Sequence, residues 1–205
     1  EGHQSVILKG QLADAALTEA NISVEVNGET FTAPTDSQGY FSLPVLFKTA
    51  PNAQLLRIKA SGLAKNNQSY LTLSSVLESP SQLLTRRNAN STVDMTVLPA
   101  LKLNVLTTAQ DLILRKIIGK NTLTLSEMRD AELSLMPDDL VNTAAAIQWI
   151  IDDAANRLPA GFTNIEAFVI NRSVFDQFLR SISQGSESTL AQARTKLIAN
   201  HRLDA

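Results

Sequence analysis

The chain contains no cysteine. That excludes a disulfide framework, a thiolate metal site and a cysteine nucleophile. Histidine is almost as scarce, with only His3 and His201, one near each end. Termini are the least ordered parts of a domain, and a general base must be held within hydrogen-bond reach of its target. Neither histidine is therefore a candidate base, and a two-histidine metal site fails for the same reason. No G-x-S-x-G, P-loop or G-x-G-x-x-G pattern occurs, and no D-x-[DN]-x-[DN]-G calcium loop. No metal and no cofactor is expected. Uninterrupted apolar runs stay well short of the ~18 residues a membrane span requires, and no signal peptide is evident. Because Glu1 stands where an initiator Met would, a targeting or anchoring segment is expected to have been removed before it. The net charge of −2 leaves no basic excess to neutralise phosphates, which argues against a nucleic-acid partner.

Charged residues make up 19% of the chain, under the usual ~25%, while Ser, Thr, Asn and Gln are plentiful. That balance suits an extracytoplasmic protein. The apolar share of 44% over 205 residues is enough for one large or two small packed domains without staples.

The first half reads as strands. In Ala20-Asn-Ile-Ser-Val-Glu-Val-Asn-Gly28, Ile22, Val24 and Val26 alternate with Ser23 and Glu25, so one face is apolar and the other wet. Asn27-Gly28 is a hairpin signal, since both residues take positive φ cheaply. Asp36-Ser-Gln-Gly39 is a second turn, with Asp36 bonding forward. Strands are expected at 6–12, 22–26, 29–33, 40–47, 54–60, 69–77 and 91–98. The polar stretch 78–90 reads as a loop.

Three segments, Gly10-Gln11-Leu12, Ala20-Asn21-Ile22-Ser23-Val24 and Thr35-Asp36-x-x-Gly39-Tyr40-Phe41, resemble the carboxypeptidase regulatory-like family of transthyretin-like domains. The resemblance covers roughly residues 4–98. It implies a seven-strand β-sandwich, and a scaffold or binding module rather than a catalyst, because members share a fold and differ in role.

The second half changes period. A helix is expected over 107–118, stopped by Gly119. Thr124-Leu-Ser-Glu127 is a capping-box pattern opening a short helix through Leu135. Pro137, with Asp138 and Asp139 behind it, opens the longest helix. Leu140, Ala144, Ile147, Ile151, Ala154 and Leu158 form its apolar stripe. Val174, Phe175, Phe178, Leu179 and Ile182 share the face of another helix, and a last one spans about 188–199. The junction at 99–108 is short and apolar, so the two parts are expected to dock. Val97-Leu-Pro-Ala-Leu with Leu106-Thr-Thr-Ala109 also resembles the strand-to-helix seam of bacterial envelope lipoproteins.

The sequence therefore predicts an α+β protein: a β-sandwich over 1–98 and an α-helical bundle over 99–205. Asp138-Asp139 and Asp152-Asp153 read as a wet helix face, with Asn156 on the same side, and Asp36 as a turn former. Asn67-Gln-Ser69, Asn90-Ser-Thr92 and Asn171-Arg-Ser173 match the glycosylation sequon by chance in an Asn- and Ser-rich chain. Trp149 falls about 180° from Leu140 on the helix and needs a partner surface. With Tyr40 and Tyr70 it forms the set of candidate ligand or interdomain contacts. The expected function is a non-enzymatic structural or presentation module of a bacterial cell-envelope or secreted protein. Its partner would be a cell-surface polymer or another envelope protein, and its location periplasmic, outer-membrane or secreted. The alternatives are a glycan-, polymer- or peptide-binding module and an accessory region of a larger enzyme.

Overall fold

A computed structural model describes residues 4–14, 17, 19–48, 53–152 and 158–200. Alternation sets the two sheets. β1 (Gln4–Leu12) turns Val6, Leu8 and Leu12 inward, and β4 (Tyr40–Phe47) turns Phe41, Leu43, Val45 and Phe47 inward. They pair antiparallel with Val6 opposite Val45 and Leu8 opposite Leu43. β2 (Ala20–Val26) buries Ile22, Val24 and Val26, and pairs with β3 (Glu29–Pro34) through Asn27 and Gly28, at φ 50° and 82°. Both turn residues are left-handed, as a tight hairpin of right-twisted strands requires.

The second sheet continues with β5 (Arg57–Gly62) and β6 (Thr72–Val76), in the order β3-β2-β5-β6, antiparallel throughout. The first sheet is completed by β7 (Thr92–Val93) and β8 (Lys102–Leu103). Both run parallel to β1, opposite Ile7–Leu8 and Gln11–Leu12 respectively. The inward residues of both sheets belong to one buried apolar cluster. Gly10 sits opposite Phe41 because nothing larger fits there. A Cβ on Gly10 would lie 2.2 Å from the Leu101 carbonyl oxygen and 2.5 Å from the Phe41 ring.

Seven α-helices accompany the strands among the described residues. α1 (Pro80–Arg86) is opened by a capping box between Ser79 and Gln82. α2 (Val105–Ile118) is opened by one between Asn104 and Thr107, and closed by Gly119 at φ 80°. α3 (Leu125–Glu132) starts on the expected Thr124–Glu127 box, and α4 (Pro137–Asp152) on Pro137. α5 (Ile165–Ile170), α6 (Arg172–Ile182) and α7 (Thr189–Asn200) follow.

The chain is thus mixed α+β, with two sheets, but strands and helices do not simply follow one another. Stretch 78–90 is not a loop, since α1 lies within it. Stretch 91–98 pairs only at Thr92–Val93, because Asp94 turns the chain by accepting from Thr96 N at 3.0 Å. Stretch 54–60 becomes a strand only at Arg57, with Gln54 in an isolated bridge to Thr124. Beyond the expected boundary, Lys102–Leu103 adds a strand to the first sheet. Among the described residues eight strands stand where seven are expected.

The α4 stripe is also corrected. Ala144, Ile147 and Ile151 are buried, but so are Thr143, Ala145, Ala146 and Ile150, while Leu140 is only half-buried. α4 is rich in alanine, and both α2 and α7 pack against it. The aromatic rings of Phe162, Phe168, Phe175 and Phe178 pack nearby, edge-to-face or tilted except for the stacked Phe175–Phe178 pair, with centroids 5.1–6.2 Å apart. His3, His201, Asp153, Ala154 and Asn156 lie outside the described residues.

Candidate functional site

Directly opposed residues of an antiparallel pair share a face. On β5–β6 the pairs Ile58–Ser75 and Ala60–Leu73 face the apolar core. Arg57–Val76, Lys59–Ser74 and Ser61–Thr72 therefore face the other way. α2 covers this second face near β6. Residues three and four apart on a helix are neighbours, and α2 presents Thr107, Thr108, Asp111 and Arg115 along one line. The Thr107 hydroxyl donates to Ser74 O at 2.9 Å, and Ser74 N donates to the Thr108 hydroxyl at 3.0 Å. β6 is an edge strand, and these bonds occupy backbone groups that an exposed edge would leave open.

One turn further along, Asp111 is fully buried and ionised among donors. Its Oδ2 accepts from the Ser74 hydroxyl at 2.6 Å, from Arg57 Nε at 2.8 Å and from Arg115 Nη2 at 2.8 Å. Its Oδ1 accepts from Arg57 Nε at 2.9 Å and pairs with Arg57 Nη2 at 2.8 Å. Arg115 continues to Glu166 Oε1 at 3.0 Å, and Lys59 reaches the same oxygen at 3.1 Å. Glu166 is held by α5, whose first turn is tied to the sheet. Glu166 N donates to the Thr72 hydroxyl at 3.1 Å, and Ile165 N to the Tyr70 carbonyl at 3.0 Å. Three cations meet two carboxylates, leaving one net positive charge among the five.

Burial alone would raise the Asp111 carboxyl. The charges of Arg57 and Arg115, with hydrogen bonds from Arg57 and Ser74, outweigh it and hold Asp111 below the usual carboxylate range. Glu166 behaves likewise: burial pushes up, and Arg115 and Lys59 win. Burial would lower the Arg115 guanidinium, but Asp111 and Glu166 hold it above its ordinary value. A carboxylate pinned in its charged form by several donors is a poor proton shuttle, since a general base works best with a pKa near the operating pH. The network suits holding and binding.

Beside it opens a cleft of about 580 Å³. Arg57, Lys59, Arg115 and Glu166 line it, together with Glu25 and the Asn121–Thr122 turn. Arg57 Nη1 donates to the Asn121 carbonyl at 2.7 Å, tying this turn to β5.

The three aromatics expected to make contacts occupy three separate environments. Trp149 is half-buried on α4, its ring 5.8 Å from that of Phe178 on α6 and tilted to it by 41°. Tyr70 is half-buried at the sheet–helix junction, where its carbonyl bonds α5. Tyr40 is 45% exposed on β4, in a shallow groove with Lys9 and Asp94. Asp36 forms its turn, its Oδ1 accepting from Gln38 N and Tyr40 N at 2.8 and 2.9 Å. Asp138 and Asp152 pair with Arg194 and Lys196 of α7 at 3.3 and 2.8 Å, and Asp139 is exposed. Asn171 of the third sequon caps α6, accepting from Val174 N at 3.2 Å. Among the described residues no group of three or more His, Asp or Glu side chains is placed to hold a metal ion, and no helix is long and apolar enough to cross a membrane.

Sequence reasoning missed Arg57, Lys59, Asp111, Arg115 and Glu166 as a set. The available signal was Asp111 and Arg115, four apart, enclosing Leu112-Ile113-Leu114. No protein-family model matches the chain, and no curated protein or solved structure matches it either.

Proposed function

We propose that the protein is a non-enzymatic structural or presentation module of an extracytoplasmic protein, from a bacterial cell envelope or a secreted assembly. The reading takes the first seven strands as a transthyretin-like β-sandwich, with the part beyond residue 98 as a helical layer fixed to it. The observation that carries it is the junction. Apolar residues of both parts, Leu71 and Leu73 with Leu103, Val105 and Leu112, lie in one buried cluster. Ser74, Arg57 and Thr72 of the sheet are bonded to Thr107, Thr108, Asp111 and Glu166 of the helices. Bonds of both kinds hold surfaces on the two parts at fixed relative positions, which is what presentation or spacing demands. The cysteine-free, modestly charged composition fits an envelope location and needs no redox partner.

Native-state hydrogen exchange tests the reading. Amides of β6 and α2 should exchange only through global unfolding, with equal opening free energies. Exchange of α2–α7 through a smaller opening that leaves β1–β6 protected would overturn it. So would turnover of ester, peptide or glycoside substrates abolished by one interior Asp or Glu substitution.

A further inference from the structure

Open sheet borders invite pairing with another chain, and folded proteins blunt them. Among the described residues three borders are blunted here. β6 is bonded to α2 through Ser74. β7 and β8 have two residues each. On β4 the device is Pro44. Ile7 N donates to Ser91 O, away from β4, so the opposite Pro44 also faces away from β1 and has no N–H to offer there. The border at β3 carries no such device. Its register against β2 runs without a bulge from Glu29 to Pro34, and proline stands only at its end. It has no Lys or Arg, and Glu29 is neutralised by Lys48 at 3.0 Å. The two-residue turn makes Val26–Glu29 a hydrogen-bonded pair, so Val24–Phe31 and Ile22–Ala33 are the next. Thr30 and Thr32 therefore aim N–H and C=O away from β2. Both are exposed, and neither backbone has a partner beyond β3 among the described residues. β4 contacts β2 as well as β3, so it lies under the hairpin in the other sheet rather than along this border.

We propose that β3 pairs antiparallel with β3 of a second copy across a two-fold axis, joining the two β3-β2-β5-β6 sheets edge to edge. Such an interface must be self-complementary, and β3 has one register that is. With Phe31 on the axis, Thr30 of each copy opposes Thr32 of the other, and every outward N–H and C=O of both threonines is used. Glu29 then faces Ala33, so no like charges meet. The threonines pair on the outer side. The half-buried Phe31 meets its own copy on the core side, at the close spacing of a non-hydrogen-bonded pair. Centring on Thr32 would set Thr30 against Pro34, which has no N–H. Centring on Thr30 would set Thr32 against Gly28 of the turn. An unrelated extended segment could also use the border, but the match of β3 to itself selects a second copy. The inference goes beyond the presentation reading and stands apart from it, because a monomer still presents a surface.

The test is sedimentation equilibrium of the full chain from about 10 μM to 1 mM, the range of a small, weak interface. A monomer–dimer equilibrium is expected, with nothing larger, because a two-fold contact closes. Thr32→Pro removes an outward N–H without touching the β2–β3 ladder and should weaken the dimer by about 10-fold or more. Ser42→Pro makes the same change on the β4 border and should leave it unaltered. Two further variants at exposed positions test the register, with folding checked by circular dichroism. Thr30→Glu with Thr32→Glu sets like charges opposite each other and should abolish the dimer. Thr30→Lys with Thr32→Glu sets opposite charges there and should hold it or tighten it by roughly 2- to 5-fold. The proposal is overturned by a monomer throughout the range, by assembly beyond the dimer, by Thr32→Pro associating like the parent, by Ser42→Pro weakening the dimer, or by equal association of the two charged variants.

Discussion

Replacing Asp111 by Asn isolates what the buried network contributes. The change is isosteric, so it leaves no cavity and isolates charge and donor direction. In the parent, both carboxylate oxygens accept, and five contacts reach them from Arg57, Arg115 and Ser74. Asn has one accepting oxygen and one NH2. Whichever way the amide turns, its NH2 meets Arg57, whose Nε reaches both oxygen positions. With the amide nitrogen at the Oδ2 position, it faces Arg115 and Ser74 as well. Arg57 then loses the carboxylate it pairs with, and Arg115, only 1% exposed, keeps Glu166 alone. Removing one partner of a buried ion pair costs about 3–5 kcal/mol, because the other charge stays behind uncompensated. For a chain of this size, 1 kcal/mol moves Tm by roughly 2–4 °C, so a fall of about 6–20 °C is expected.

Urea unfolding should be followed by far-UV circular dichroism and by fluorescence of Trp149, the only tryptophan. The first reports on both parts and the second on α4 beside α6. The two transitions should coincide in parent and variant. The combined replacement Arg57→Met, Asp111→Leu, Arg115→Met should recover most of the loss, since apolar residues of similar volume substitute for buried ion networks at little cost or at a gain. A loss below about 1 kcal/mol for Asp111→Asn would refute the reasoning, as would a fluorescence transition well separated from the dichroism.

Acid should act through the same groups. Asp111 and Glu166 have folded pKa values below their unfolded ones, so their stabilisation is fully present above the ordinary carboxylate pKa of ~4 and fades as pH falls through the lowered values. Melting temperature should be flat from neutral pH to about 5 and fall below ~4, and Asp111→Leu within the apolar triple variant should flatten that fall. A parent whose stability does not change down to pH 2 would contradict it. Trp149→Ala removes a half-buried ring packed at a tilt against Phe178 and should cost about 1–4 kcal/mol, checked by urea titration read by dichroism; an unchanged midpoint would return Trp149 to the surface. Gly10→Ala forces a methyl onto the Leu101 carbonyl and the Phe41 ring and should cost about 1–3 kcal/mol, whereas Gly119→Ala, with open space but φ 80°, should cost about 1–2 kcal/mol through backbone strain alone.

Much of the local structure is legible in the residues. The Ile22–Val26 alternation, the Asn27-Gly28 reversal, the Asp36 turn, the Thr124–Glu127 box, Pro137 and Gly119 each act over a few residues, and each forms as expected. The failures are of two kinds. β7 and β8 have two residues each, too few for a period, and exist because β1 has an open edge to pair with. α1 did carry a signal, Ser79-Pro80-x-Gln82, masked by its polar content. The α4 stripe failed because Ala144, Ala145 and Ala146 carry little hydrophobic contrast. Periodicity cannot show that such a helix is covered on several sides, and Trp149 fell on a covered side.

The charge network was hidden for a deeper reason. Alternation shows which side of a strand turns away from its own sheet's core, not what lies on that side. Arg57 and Lys59 alternate with the buried Ile58 and Ala60, and Asp111 of α2 and Glu166 of α5 meet them on the side they share. Yet α2 held the clue. Asp111, Leu112, Ile113, Leu114 and Arg115 cover a full turn, and all five are buried. A charged pair at i, i+4 inside such a turn has no water to face, and needs partners from elsewhere in the fold. Those partners set the docking register. Advancing α2 by one residue along β6 would carry Thr107 and Thr108 off Ser74, and turn Asp111 about 100° away from Arg57. Every such slip leaves a buried charge unpaired, at several kcal/mol. Apolar packing between the parts would tolerate neighbouring registers more readily, because hydrophobic attraction has no direction. The polar junction is what narrows the docking to one geometry.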